Sequence, residues 1–340
     1  NEIAKVGYYT SKLDKYNIKV EATATTRTGV SKYSFPAGQA NILLNLGLGL
    51  TNEQGAQVKI VSSTEIEGIR SVGSFCYYKP EEAYPVYFVA KFSEPASSFG
   101  TWKKPTTYKG VEAQWMGYNG KTRLMEGFTK TVVGDSIGAY MQYDFKIPTQ
   151  VEMKIGVSYV SIENARENLE KETAGKSFDA IKTATQQEWN QYLSRIEVEG
   201  GSQDDKTIFY TGLYHTLIHP STLNDINGEY PKMRTRETLK TDGTRYTVFS
   251  FWDTYRNLHQ LMSLVYPKQQ SNMVKSILQI YDESGWLPKW ELNATETTTM
   301  VGDPAGIVLA DTYLKGIKDF DVETKVSNNV QGTSPEVSEA

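Results

Sequence analysis

The sequence predicts a chain in two parts, an antiparallel β-sandwich followed by part of an α/α toroid. Three observations carry that expectation. Hydrophobicity alternates with period two up to about Ser161. No helical stretch interrupts the alternating runs, which argues against a parallel crossover sheet. From Ser161 onward the period becomes that of amphipathic helices, joined by loops that hold aromatic and polar residues.

The runs can be taken in order. Ile18, Val20, Ala22 and Ala24 alternate with Asn17, Lys19, Glu21 and Thr23. Val86, Phe88, Ala90 and Phe92 repeat the pattern, as do Ile137, Ala139, Met141, Tyr143 and Phe145, and then Val151, Met153, Ile155 and Val157. Alternation places one face of each strand in a core and the other in water. Turn signals at Tyr118-Asn119-Gly120-Lys121 and Val133-Gly134-Asp135 separate the runs. Ser161 is placed to cap a helix through Ala165, Leu169 and Lys171. Ser177 is placed to cap a second, with Phe178, Ile181, Trp189 and Leu193 on its apolar side. After Glu199-Gly200-Gly201, Ile208, Phe209, Leu213 and Leu217 form a helical stripe that ends at Pro220. Three further helices are expected over 255–265, 272–281 and 304–315. The last has Asp303 as N-cap, Pro304 at its first position and Gly316 past its end. The expected organisation is a sandwich at 1–160 with its first strands missing, a helical linker at 161–201, and the N-terminal part of a toroid at 202–340. Four toroid helices are too few to close a ring.

Composition narrows the function. A length of 340 residues exceeds one ordinary core, which favours two domains. A net charge of −4 with both signs mixed gives no reason to expect nucleic acid or an anionic membrane as partner. The apolar runs are too short to span a bilayer. Cys76, the single cysteine, excludes an internal disulfide, and with no histidine nearby it makes a poor nucleophile. Leu46-Gly47-Leu48-Gly49-Leu50 opens no helix and so fails as a phosphate loop. His215 and His219 have metal-ligand spacing, but Thr216 stands where a zinc protease needs its base, and a structural or subsite-lining role is expected. Asn1 is neither an initiator methionine nor the start of a signal peptide, and the polar stretch from Ser327 to Ala340 reads as a cut, so a longer chain is expected.

Three of the six tryptophans fall between Trp252 and Trp290, close to Asp253, Arg256, Glu291 and Glu296. Aromatic faces beside paired polar groups suit sugars, whose apolar faces stack on rings and whose hydroxyls take bidentate hydrogen bonds. Asp253 and Arg256, three apart at an expected helix start, share a face flanked by Trp252 and Tyr255. A surface ion pair is the competing reading. Glu291, Glu296 and Asp303 are open to roles as acid or base, sugar ligand or solvated surface, with Asp303 weighted toward capping.

These segments resemble glycoside hydrolase family 92, the calcium-dependent exo-acting α-mannosidases found in gut bacteria. The resemblance rests on Phe251-Trp252-Asp253-Thr254-Tyr255-Arg256, Gly285-Trp286-Leu287-Pro288-Lys289-Trp290-Glu291-Leu292 and Met300-Val301-Gly302-Asp303-Pro304-Ala305. It extends to Tyr159–Ala165, Phe209–His215 and Ala310–Gly316. It implies a supersandwich-like β-domain before an (α/α)6 barrel, and inverting hydrolysis of terminal α-mannose, with α-1,2 linkages expected, from mannose-containing glycans such as N-glycans. It also implies Ca2+ as cofactor and a secreted, periplasmic or cell-surface location. Asp253 and Arg256 then become ligands of the terminal mannose, with Trp252, Tyr255, Glu291 and Glu296 as further substrate-binding candidates. The family's acid, base and calcium segments are expected beyond Ala340, so no catalytic residue or metal ligand is assigned here. Two other classes stay open: a non-catalytic carbohydrate-binding protein, and another sandwich-plus-toroid enzyme such as a phosphorylase or lyase.

Overall fold

Period-two alternation becomes sheet. The computed structural model describes residues 2–47, 53–73, 83–103, 123–126, 132–134, 137–297 and 299–321. Cys76, the turn at 118–121 and part of the 46–50 glycine run lie outside the described residues. The chain divides into two compact units, Asn1–Gln186 and Gln187–Ala340.

In the first unit the strands are β1 (Glu2–Lys5), β2 (Tyr8–Leu13), β3 (Ile18–Ala24), β4 (Thr28–Phe35), β5 (Gly38–Asn45), β6 (Glu53–Ser62) and β7 (Glu65–Val72). They continue with β8 (Tyr84–Phe92), β9 (Ser98–Lys103), β10 (Arg123–Glu126), β11 (Val132–Gly134), β12 (Ile137–Phe145) and β13 (Thr149–Ser158). One sheet runs β1-β2-β3-β4-β13-β8-β7-β6-β11 and the other β10-β9-β12-β5. Every pairing in them is antiparallel. Ile42, Ala139, Met141 and Tyr143 from the smaller sheet meet Val58, Ile66, Phe88, Ala90, Val151 and Met153 from the larger in one buried core, as a sandwich requires.

The phase of β3 differs from the alternation read in the sequence. Glu21 and Thr23 are buried, whereas Ala24 is exposed. The reason is a helix on that face. Helix α1 spans Ile162–Thr173 and α2 spans Phe178–Leu193. Phe178 and Ile181 of α2 pack on Val30 and Tyr8, and the Lys32 ammonium lies 4.6 Å from the Phe178 ring centroid. Lys32 reaches Glu21 at 3.5 Å and Asp179 at 3.2 Å, while Tyr8 Oη donates to Glu21 at 2.7 Å. A buried carboxylate with a cation and a phenol is tolerable where an unpaired one is not. Helix α1 is capped by Ser161, whose side chain accepts from Asn164 N, and Ala165 and Leu169 cover Val89. Gly156 lets that helix approach closely, since a Cβ there would sit 2.2 Å from Ala165 O.

The second unit starts within α2 and continues through α3 (Gln203–Thr216), closed at its start by a Ser202–Asp205 capping box. Short strands follow: β14 (Ser221–Thr222), β15 (Glu229–Pro231), β16 (Thr238–Lys240), β17 (Tyr246–Thr247) and β18 (Phe249–Ser250). Helices α4 (Phe251–Thr254), α5 (Leu258–Val265) and α6 (Pro267–Ser284) precede the hairpin of β19 (Trp290–Leu292) and β20 (Thr295–Glu296), and α7 (Pro304–Leu314) ends the described part. The helix expected over 255–265 forms, but starts three residues later, as α5. Asn257 leaves the helical region at φ −149, and Gln260 Nε2 donates to the freed Tyr255 carbonyl at 2.9 Å. Asp303 does occupy the N-cap position of α7, but its side chain makes no capping hydrogen bond. No helix among the described residues is long and apolar enough to cross a membrane.

Candidate functional site

The two segments singled out by their tryptophans are joined by a strand pair. Phe249 pairs with Glu291 and Ser250 with Trp290, so the backbone that enters α4 is hydrogen-bonded to the hairpin carrying Glu291 and Glu296. Sequence separation hides this contact, because no local pattern links residue 250 to residue 290.

Beyond the strand pair, Trp252, Asp253 and Arg256 are exposed and Tyr255 is partly exposed. The Arg256 guanidinium carbon lies 5.6 Å from the Trp252 ring centroid and 5.5 Å from that of Tyr255. A cation held against two rings loses rotameric freedom while keeping its donor edge open. Asp253 accepts from the Ser250 hydroxyl, which orients one carboxylate oxygen. Asp253 and Arg256 form no ion pair with each other. The arrangement therefore offers an acceptor and a fork of donors on one short segment, both reachable from solvent.

Glu291 and Glu296 are placed differently from the sugar-ligand expectation. Glu291 is fully buried, and three protein donors occupy its carboxylate. Thr247 Oγ1 donates to Oε1 at 2.7 Å, Ala294 N to Oε1 at 2.6 Å and Val248 N to Oε2 at 3.0 Å. Burial pushes its carboxyl up, against the pull of Arg245, Thr247 and Ala294 N–H. Fully buried with three protein donors on it, the carboxylate is not exposed to a hydroxyl ligand. Glu296 is partly exposed, but its carboxylate accepts from Lys289 N at 2.8 Å and Trp290 N at 3.1 Å. Both acids tie down backbone.

What Glu291 ties down is strained. Val248 sits at φ 65, and the hairpin tip places Asn293 and Ala294 at φ 48 and 65. Two successive left-handed residues are what a tight hairpin turn demands. A β-branched residue there is a true outlier, costing on the order of 1–3 kcal/mol.

His259, which sequence reasoning passed over, supports the segment from beneath. It lies on the α5 stripe with Met262 and Ser263 in helical spacing, which is the signal that would have found it. Its ring stacks on Phe251 at 5.5 Å, and Phe251 stacks on Phe249 at 5.0 Å. Nε2 lies 3.2 Å from Thr254 Oγ1 and Nδ1 lies 3.2 Å from Gln270 Oε1, with Gln270 Nε2 donating to Thr312 at 2.8 Å. Burial pushes its pKa down to about 4, opposed by Gln270 and Asp311. Above pH 6.5 the imidazole is neutral folded or unfolded. Below it, only the unfolded chain takes up the proton until about pH 4, so stability is lost as pH falls through that window. A shift from 6.5 to about 4 corresponds to about 3 kcal/mol. Denaturant unfolding at pH 7 and pH 4 should show that loss in the wild type, and a smaller one in His259→Gln.

Arg245, also missed, is a fully buried guanidinium donating to Ser276 O at 3.1 Å and Tyr246 O at 3.2 Å. It pairs with Glu283 at 3.4 Å, and Glu283 accepts from Tyr230 Oη at 3.1 Å and Met233 N at 2.9 Å. Beside Glu283, burial pushes the Tyr230 phenol up to about 12. His215 and His219 are both exposed. Among the described residues no three of His, Cys, Asp or Glu converge as a cation's ligand set would require, so these residues do not by themselves fit a calcium ion.

The match to known proteins runs along nearly the whole chain. Residues 1–158 match the glycosyl hydrolase family 92 N-terminal domain and residues 164–338 the family 92 catalytic domain. A solved family GH92 α-mannosidase from Bacteroides thetaiotaomicron is 27% identical with a TM-score of 0.84, covering 98% of this chain and 44% of that one. A family GH92 inverting mannosidase from the same organism is 26% identical with a TM-score of 0.82, covering 99% and 43%. A curated uncharacterized secreted glycosidase of Arthroderma benhamiae is 24% identical over 331 residues, which are 93% of this chain and 37% of that protein. The chain thus spans less than half the length of these relatives, and its architecture is the family's β-sandwich followed by part of an (α/α)6 barrel. With its two halves matched in order by the two domain models of one family, the chain belongs to glycosyl hydrolase family 92.

Proposed function

We propose that the protein removes terminal α-linked mannose from glycans by calcium-assisted, inverting single displacement, with α-1,2 linkages as the preferred substrate. The observation that carries this reading is the exposed segment in which Arg256 is held between Trp252 and Tyr255 beside Asp253. Arg256 would donate to, and Asp253 accept from, adjacent hydroxyls of the terminal mannose, with Trp252 and Tyr255 supplying the apolar wall. Similarity to a family 92 α-mannosidase solved with mannoimidazole, at 27% identity, supports a mannose-shaped ligand. The relative called an inverting mannosidase supports single displacement. That mechanism uses one carboxylic acid to protonate the leaving oxygen and a second carboxylate to activate water from the opposite face. Neither Glu291 nor Glu296 is assigned to either task, because both carboxylates are committed to backbone N–H groups.

Calcium dependence is part of the proposal through the family. A secreted, periplasmic or cell-surface location is proposed on the strength of the relative called secreted. The test follows mannose release from an α-1,2-mannoside by the whole protein, with the first-formed anomer read by NMR. Release of β-mannose, lost on chelation and restored by Ca2+, is the expected result. Retention of configuration or a requirement for phosphate overturns the mechanism, and binding without release leaves a lectin-like role in its place.

A further inference from the structure

We propose that Glu291 is a positioning residue: its buried carboxylate clamps Val248 in a left-handed bend, and that bend aims the Trp252–Arg256 segment. The proposal rests on the reading that this segment grips the sugar. At Val248 the chain leaves one sheet for another. Thr247 belongs to β17, which pairs with β14, whereas Phe249 begins β18, which pairs with β19. The change of partner within one residue requires φ 65, a conformation a β-branched side chain resists.

Something must hold that bend, and the donors around Glu291 show how. Oε2 takes the Val248 N–H, while Oε1 takes Thr247 Oγ1 and Ala294 N. Thr247 Oγ1 in turn accepts from Asn293 N at 2.8 Å. One carboxylate therefore fastens the bend on one side and the hairpin tip on the other. Downstream of Val248 come four residues, Phe249 to Trp252, before Asp253. Phe249 and Phe251 are fixed by stacking, so an error in direction at Val248 is carried to Asp253 and Arg256 rather than absorbed.

Replacement by glutamine isolates the clamp. The amide oxygen would take the Oε1 place, where two donors converge, leaving its NH2 against the Val248 N–H, donor against donor. Glu291→Gln thus unfastens Val248 while leaving the hairpin tip tied. Val248→Gly removes the conformational resistance that makes the clamp necessary.

The test is a double-mutant cycle in the whole protein, reading kcat/KM for an α-mannoside and the melting temperature. Glu291→Gln is expected to lower kcat/KM about 10–100-fold, and in the Val248→Gly background that loss should shrink by about tenfold. Equal losses in the two backgrounds overturn the clamp, as does wild-type kcat/KM in Glu291→Gln. If Glu291→Gln fails to fold, Glu291→Asp takes its place in the cycle with the same criteria, since it keeps the charge but withdraws it by one methylene. Asp253→Ala in the same assay separates the two readings. An inactive Asp253→Ala with an additive cycle overturns the clamp alone, whereas wild-type activity in Asp253→Ala overturns the sugar-gripping reading together with the clamp's role in activity.

Discussion

Asp253→Ala and Arg256→Ala, each made in the whole protein, are expected to lower kcat/KM for an α-mannoside by about 100–1,000-fold, or about 3–4 kcal/mol of transition-state stabilisation. On the proposed reading, each removes one half of a paired grip and leaves sugar hydroxyls without a partner. Stability should be unaffected, because both side chains are exposed and neither forms an ion pair with the other. Arg256→Lys should rescue little. An ammonium keeps the charge but loses the fork geometry and the flat face held against Trp252 and Tyr255. The double variant should lose less than the product of the singles, since the two groups act on one sugar. Steady-state kinetics with a melting curve for each variant checks all of this, and an unfolded Asp253→Ala would count against an exposed, purely binding role.

Arg245→Met is expected to cost about 3–5 kcal/mol of stability, the largest loss at any position discussed. The guanidinium is fully buried, and its removal leaves Glu283 with a carboxylate no cation balances. It also takes away the positive charge that pulls against the burial of Glu291. Two backbone carbonyls, Ser276 O and Tyr246 O, lose the guanidinium's hydrogen bonds at the same time. Combining Arg245→Met with Glu283→Gln should recover part of the loss, because the second change removes the stranded charge. Denaturant unfolding of the single and double variants at neutral pH measures both effects.

How much of this was legible in the sequence follows from the range of the interactions involved. Strands β8, β12 and β13 could be read from alternation, because each has its apolar side chains at i, i+2 and i+4 facing the core between two sheets. Ser161 and Ser177 announced α1 and α2, since a cap acts over three residues: Asn164 N and Ala180 N donate to them at 3.0 and 3.3 Å. Strand β3 was legible as a strand, but the burial of Glu21 and Thr23 on its other face was not, because α2 covers that face and a residue's own neighbours in sequence carry no trace of a helix packed from far along the chain. The late start of α5 was hidden for a related reason: no glycine or proline marks the turn at Asn257, where Gln260 Nε2 donates to the Tyr255 carbonyl instead.

At the site the division is sharper. Local spacing alone brought Trp252, Tyr255 and Arg256 together, because residues one to four apart across a turn are neighbours, and Arg256 does lie against both rings. It also marked Glu291 and Glu296 as acids in the same aromatic-rich region. Only the tertiary structure decided what those two acids do. A carboxylate's role depends on which donors reach it, and the donors of Glu291 come from Thr247 and Val248, brought across by the strand pair of Phe249 with Glu291. The same holds for His259 and Arg245, ordinary polar residues in sequence. Burial makes one neutral and the other indispensable, and burial is a property of the packed chain.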